Sequence, residues 1–326
     1  MEKQYDVYGI GSALMDFLIE ADEELLQQFN LKKGNMHLID EQQSIDFMKR
    51  IKEYNMKIAP GGSSANTLAG ISLLGGKVVF CGKVGDDEHG YLYEKKTCNN
   101  DNTKSNIAKG SCITGHTITF ITPDSERTFA THLGAAMELS KEDLFEEDIK
   151  LSKILHVEGY QLEDPNLKST TLHAMNIAKA NGTKVSIDLA DPGLVERNKE
   201  DLKKIVVDYA DIVFANEEEA KAFTGLEPEE ALKSISDMTE IAIVKLGKLG
   251  SWIKRGQEKA FVDAYKVDAI DTTGAGDMFA AGFLYGLCNE MDLEKSGKIG
   301  SYIASKVVSQ IGARLDEISK EELDKL

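Results

Sequence analysis

Residues 271–287 read DTTGAGDMFAAGFLYGL. Two carboxylates, Asp271 and Asp277, bracket Thr-Thr-Gly-Ala-Gly, and an apolar run with helical spacing follows. Gly274 and Gly276 leave backbone N–H groups bare at the start of a helix that runs through Leu287. Unpaired donors and the positive end of the helix dipole attract an anion there. Ala275 keeps the turn small enough for a bulky anion to approach the main chain. Asp277 then stands beside that anion, a position that suits work on a neighbouring proton. A plainer reading competes, in which Thr272 or Thr273 caps the helix and Asp277 is a first-turn acid complementing the dipole. Two glycines inside the turn, each costing about 1 kcal/mol of helix propensity, count against the cap. Spacing alone leaves both readings open.

On the N-terminal side of this stretch, short β-rich runs alternate with amphipathic segments. The runs are KILHVEGY (153–160), TKVSIDLA (183–190), ADIVFAN (210–216) and EIAIVKLG (240–247), with NLKSTTLHAMNIAKANG and EDLKKIVVDYA among the segments between them. Strand, helix, strand in that rhythm predicts a parallel sheet covered on both faces. The first half adds YDVYGIG (5–11) and KVVFCGKVG (77–85), with helical SSANTLAGISLLGG between them. One segment breaks the pattern. SCITGHTITFITPDSERTFATHLGA (111–135) alternates threonines with apolar residues and turns at Pro123-Asp124-Ser125-Glu126, which predicts a hairpin with one covered face. His116, Ile118 and Phe120 face one way, Thr117 and Thr119 the other. With the stretch from DFLIEADEELL to NMHLID it reads as a small β flap over the main sheet. No repeat, low-complexity tract or linker divides the chain.

The balance of charge excludes some classes of partner. Thirty-eight Lys and Arg against 55 Asp and Glu give a net charge of −17 over 326 residues. Nucleic-acid and membrane surfaces demand clustered positive charge, so neither is expected as a partner. Cys81, Cys98, Cys112 and Cys288 form no CxxC or Cys/His cluster, which argues against zinc or a disulfide framework and for reduced thiols in the cytoplasm. No apolar run approaches the ~18 residues of a spanning helix. MEKQYDVYGIG enters a strand pattern directly, with no secretory apolar region.

Two familiar nucleotide motifs fail. Each Gly-Lys pair, at 76–77, 82–83, 247–248 and 297–298, is followed by Val, Leu or Ile, so the hydroxyl of a P-loop is missing every time. Gly9-Ile10-Gly11 ends the first strand, but Leu14 stands where a dinucleotide fingerprint needs its third glycine.

DTTGAGDMFAAGFLYGL resembles the C-terminal signature of the ribokinase-like (PfkB) family of sugar and nucleoside kinases. PGGSSANTLAGISLLGG (60–76) resembles its N-terminal glycine-rich signature, and FANEEEA (214–220), VKLGKLGS (244–251) and QIGARL (310–315) follow in the family's order. The likeness covers nearly the whole chain. THLGAAMEL (131–139) and SYIASKVVSQIGARL (301–315) are most similar to the adenosine-kinase-like branch. The resemblance implies an α/β fold, three-layer α/β/α, with a mostly parallel central sheet and a small β-sheet lid. One kinase domain would span 1–326, its lid built from about 14–40 and 108–135.

The resemblance also implies roles, each with a bland alternative beside it. Asp277 would accept the proton of a substrate CH2OH, while the N–H groups of Gly274, Ala275 and Gly276 hold charge on the migrating phosphoryl group. Asp16 would bind sugar hydroxyls; a carboxylate can accept from two vicinal hydroxyls, and a solvated turn acid is the alternative. Gly61, Gly62 and Asn66 would let a sugar approach the backbone, or mark a helix start capped by Ser63 or Ser64. Asn216 and Glu219 would lie near the phosphates and, through water, Mg2+, although an Asn cap with an acidic first turn explains the same letters. Lys245, Gly247 and Gly250 match the nucleotide-binding turn, with Lys245 departing from the family's small hydroxyl residue and its role left open. Thr273, Gly274, Gly276 and Ser301 would complete the ATP site. Asp271, Thr273, Val307, Gln310 and Gly312 would surround a monovalent cation, K+, or form an ordinary helix end. Phe120 and Phe129 are candidates for stacking on a base or for flap core. The expected activity is ATP- and Mg2+-dependent phosphorylation of a primary hydroxyl, with adenosine the first choice of substrate and a free sugar such as ribose or fructose the alternative. An exposed flap edge would permit a homodimer through the lid as well as a monomer.

Overall fold

The computed structural model describes residues 2–97, 101–124, 126–323 and 325–326; Cys98 and Ser125, named above, lie outside them. Nine strands form the larger sheet. Seven run parallel in the spatial order β12 (Ile241–Lys245), β11 (Ile212–Asn216), β10 (Lys184–Asp188), β9 (Ser152–Glu158), β1 (Tyr5–Ile10), β5 (Val78–Gly85) and β6 (Thr103–Gly110). An antiparallel pair, β13 (Ser251–Arg255) and β14 (Glu258–Val262), extends the β12 edge.

Both faces of this sheet are buried, as crossover helices require. Val7, Ile154, Ile212, Phe214 and Ile243 enter one core, whereas Tyr8, Leu155, Val157, Val213 and Val244 enter the other. Helices Ser63–Leu73, Ala275–Cys288 and Leu293–Val308 contribute to the first core, and Pro165–Ala180 and Pro192–Tyr209 to the second. Phe283 of helix Ala275–Cys288 meets Phe214 edge-on, with centroids 5.7 Å apart at 88°. Burying each ring is worth about 2–3 kcal/mol, and the contact seats the helix whose start carries the DTTGAGD turn.

Five strands form the smaller sheet, in the order β3 (Met36–Leu38), β8 (Arg127–His132), β7 (His116–Ile121), β2 (Leu14–Glu20) and β4 (Met56–Gly61). The expected hairpin is the β7–β8 pair. It differs from expectation in having two covered faces: Thr117 and Thr119 are buried as well as His116, Ile118 and Phe120. Arg127, which pairs Ile121 in register and so shares the threonine face, reaches across to Asp271. That face therefore looks inward. The sheet's extent also departs from 14–40 and 108–135. β4 belongs to it, and residues 108–110 end β6 of the larger sheet. Pro60 hides β4 in the sequence, because proline signals an edge strand or none. Phe120 packs on Phe29 at 5.1 Å as core of the smaller sheet, not on a cleft. Among the described residues, Cys81, Cys112 and Cys288 are free thiols, and no helix is long and apolar enough to cross a membrane.

Candidate active site

Open parallel sheets place ligands at the carboxyl ends of their strands. Here Glu158 ends β9, Asp188 ends β10, Asn216 ends β11 and Lys245 ends β12. Asp188, Asn216, Glu219 and Lys245 line a cavity of about 830 Å³ whose opposite wall is the Gly274–Asp277 turn. Gly247, Gly250 and Ser301 line it too, so most of the residues expected to bind ATP meet around one space.

Gly274, with φ 76° and ψ 0°, is the cap of helix Ala275–Cys288, and no side chain caps that helix. A Cβ at Gly274 would lie 2.5 Å from the carbonyl oxygen of Ala313, so the left-handed conformation and the close neighbour both demand glycine. The threonine-cap reading fails. Thr273 N–H instead donates to Asp271 Oδ1 at 2.8 Å, and the Thr272 carbonyl accepts from Ala275 N–H at 3.2 Å. Ala275, expected to serve the anion, is thus partly engaged. The N–H groups of Gly274, Gly276 and Asp277 donate to no protein acceptor among the described residues. Free donors at a helix N-terminus make an anion cradle.

Asp277 is gripped beside that cradle. Ser63 Oγ donates to Oδ1 at 2.7 Å and Asn66 Nδ2 to Oδ2 at 2.9 Å. Burial raises its pKa above the ordinary carboxylate value, against the pull of these two hydrogen bonds. Neither Ser63 nor Ser64 caps helix Ser63–Leu73, which starts from Gly62 at φ 93°. The Ser63 hydroxyl is turned to the acid. Ser64 N–H donates to Glu158 Oε2 at 2.8 Å, and Ser12 N–H to Glu158 Oε1 at 2.9 Å. A buried glutamate thus ties the loop after β1 to the start of the helix that carries Ser63 and Asn66.

Asp16 joins the same cluster from β2. A Cβ on Gly61 would fall 2.3 Å from Asp16 Oδ2, so glycine makes room for the carboxylate. Burial pushes Asp16 up to about 7, opposed by the Arg314 guanidinium and reinforced by the negative charge of Asp277. Arg314 Nε donates to Asn66 Oδ1 at 2.8 Å, and its Nη2 to the Gly61 carbonyl at 3.3 Å. Ser63, Arg314, Glu158 and Asp188 were not legible as site residues from spacing. Arg314 lies within QIGARL and Asp188 within TKVSIDLA, both quoted above for other reasons.

On the nucleotide side, Asn216 caps helix Glu217–Thr224, and both it and Glu219 line the cavity. Asn216 Oδ1 accepts from Glu219 N–H at 2.8 Å, while Glu219 Oε2 accepts from Asn216 N–H at 2.8 Å and Oε1 from Asn216 Nδ2 at 2.6 Å. Burial lifts Glu219 to about 7, with Lys245 pulling it down. Lys245 Nζ lies 2.9 Å from Asp188 Oδ2. Ser301 Oγ donates to the Asp263 carbonyl at 2.9 Å.

Among the described residues no group of three or more His, Cys, Asp or Glu could hold a metal ion. Both Glu219 oxygens accept from Asn216, which fits contact with Mg2+ through water. Mg2+ commonly keeps its waters and leans on substrate phosphates. The expected K+ shell fits less well. Asp271 accepts from Thr273 N–H, from Gly312 N–H at 2.7 Å and from the Arg127 guanidinium at 2.5 Å. The Val307 carbonyl accepts from Gln310 N–H at 3.2 Å, and Gln310 Nε2 donates to the Arg314 carbonyl. The Gly312 N–H joins the two loops directly, and Arg127 supplies the charge that balances Asp271.

The chain is similar to several known kinases. A solved probable sugar kinase from Rhizobium etli is 33% identical, with a TM-score of 0.91 over 99% of this chain and 98% of that one. The solved adenosine kinase of Sinorhizobium meliloti is 34% identical, with a TM-score of 0.88 over 96% of each chain. A 5-dehydro-2-deoxygluconokinase of Bacillus licheniformis is 29% identical over 321 residues, 95% of this chain and 91% of that protein. The sequence pattern of the pfkB family carbohydrate kinases matches residues 28–320, and with a ribokinase-like fold and kinases as its relatives the chain belongs to that family of phosphotransferases acting on alcohol groups.

Proposed function

We propose that the protein is an ATP-dependent adenosine kinase that transfers the γ-phosphate to a primary hydroxyl, giving AMP. The observation that carries the proposal is Asp277, held by Ser63 and Asn66 beside the unpartnered amides of Gly276 and Asp277. In this reading the acceptor oxygen bonds to the γ-phosphorus as its proton passes to an Asp277 oxygen. The bond from phosphorus to the β,γ-bridging oxygen breaks, and the electron pair leaves with ADP. The amides of Gly274, Gly276 and Asp277 take up the charge on the migrating group, which is most of what phosphoryl transfer asks of a protein. Asp16 accepts from the ribose diol. Glu219 would hold Mg2+ through water, and the ion would supply charge to neutralise the phosphates.

Adenosine is favoured by the likeness to the Sinorhizobium meliloti adenosine kinase over nearly the whole chain. Relatives named as sugar kinases support the second reading, a free-sugar or sugar-acid acceptor at the same site. A panel of nucleosides, sugars and sugar acids, assayed for ATP-dependent ADP release, separates them. Adenosine turnover at least a hundredfold above every other acceptor is the expected result; turnover of a sugar without adenosine overturns the substrate.

A further inference from the structure

The surroundings of Lys245 are unusual for a lysine. It is the last residue of β12 and pairs Asn216 of β11 in register. Its side chain is only 14% exposed. Its Nζ lies 2.9 Å from Asp188 Oδ2. Asp188 is itself fixed: its Oδ1 accepts at 3.0 Å from the N–H of Ala190, a residue held at φ 70°. On the other side, Nζ lies 3.1 Å from the point a Cβ on Gly276 would occupy. An ammonium has three donors, and Asp188 takes one. No other acceptor for Nζ occurs among the described residues. Two donors therefore remain, in the cavity that the anion cradle faces.

We infer that Lys245 is a phosphate-holding cation of the transfer site, tethered by Asp188 and directed at the same γ-phosphoryl oxygens as the Gly276 amide. The inference rests on the phosphotransfer reading above. Burial works against the charge of Lys245, but Asp188, Glu219 and Asp277 outweigh it and hold its pKa above the ordinary lysine value. The residue is a permanent cation among three carboxylates. In that setting it does two things that an uncharged side chain could not: it lowers the repulsion an incoming polyphosphate meets from Asp188 and Glu219, and it follows the phosphoryl group as negative charge shifts to the bridging oxygen. A point-charge lysine on a flexible stem suits such a moving target better than a rigid fork.

A merely structural ion pair between Lys245 and Asp188 is the competing account, and a double-mutant cycle distinguishes the two. Affinities for ADP and for the non-hydrolysable β,γ-imido analogue of ATP are measured by calorimetry for the wild type, Lys245→Met, Asp188→Asn, Lys245→Arg and the charge-balanced Asp188→Asn/Lys245→Met double variant, with turnover measured alongside. A direct contact to the γ-phosphate predicts that Lys245→Met weakens the analogue by about tenfold more than ADP, in line with a charged hydrogen bond. The double variant, which leaves no uncompensated buried charge, keeps that deficit and stays folded even where the single variant does not. Lys245→Arg retains part of the discrimination. Equal loss for both nucleotides, or wild-type discrimination and turnover in the double variant, overturns the role of Lys245 while leaving the kinase reading intact. Failure of the wild type to bind either nucleotide overturns both.

Discussion

Replacing Asp16 by asparagine should make the ligand-free protein more stable at alkaline pH while abolishing its use of substrate. The carboxyl is lifted from 3.8 to about 7 in the folded state, chiefly by burial. Its raised pKa means that the folded chain holds a proton the unfolded chain has already lost between those values. The stability this contributes is complete below pH 3.8 and is lost as pH rises through 7. Each pH unit in that window costs the wild type about 1.36 kcal/mol. From pH 5.5 to 8.5 the loss is about 2 kcal/mol, and partial exposure of Asp16 screens it to about 1–2 kcal/mol. Asp16→Asn has no proton to lose, and the remaining titrations cancel when the two chains are compared. At about 2.1 cal/mol/K per residue, 326 residues give an unfolding entropy near 0.7 kcal/mol/K, so the difference in Tm should widen by about 2 °C across the range. Calorimetric melts of both apo proteins at pH 5.5, 7 and 8.5 provide the measurement. Parallel curves would refute the claim that Asp16 sits desolvated beside Gly61 and Asp277. Loss of stability in the variant that grows with pH would refute it more strongly.

Three further outcomes follow from the same geometry. Asp277→Asn should lower kcat by about 10²–10⁴ while leaving ATP affinity within about twofold by calorimetry; near-normal turnover would remove Asp277 as the base. The Ser63 hydroxyl holds the Asp277 pKa down, so Ser63→Ala should move the acid limb of the kcat profile to higher pH, and an unmoved limb would detach Ser63 from the acid. Gly274→Ala forces a left-handed alanine against the Ala313 carbonyl, and should cost about 1–3 kcal/mol in urea unfolding together with most of the turnover.

How far the site was legible depended on whether a residue acts through chain neighbours or through distant ones. The interior parallel strands declared themselves because both their faces are buried, which forces runs such as ILHV and DIVF whatever the rest of the chain does. β4, β6, β13 and β14 did not: they lie at sheet edges or near them, where a proline or alternating lysines are tolerated and the apolar signal thins. The Asn216–Glu219 capping box needs only residues three apart, so its letters carried its geometry.

By itself the sequence determined the layered α/β fold, a glycine-bearing helix start and the acid two residues beyond Ala275, because each follows from local conformation or from the period of burial. Only the tertiary structure decided which neighbours each acid has. Ser63 turns away from capping and onto Asp277 across 214 residues. Arg127 meets Asp271, and Lys245 answers Asp188 instead of solvent. Those choices are settled where strand ends from distant parts of the chain converge in a poorly hydrated space, and there a charge must find a counter-charge that sequence spacing does not announce.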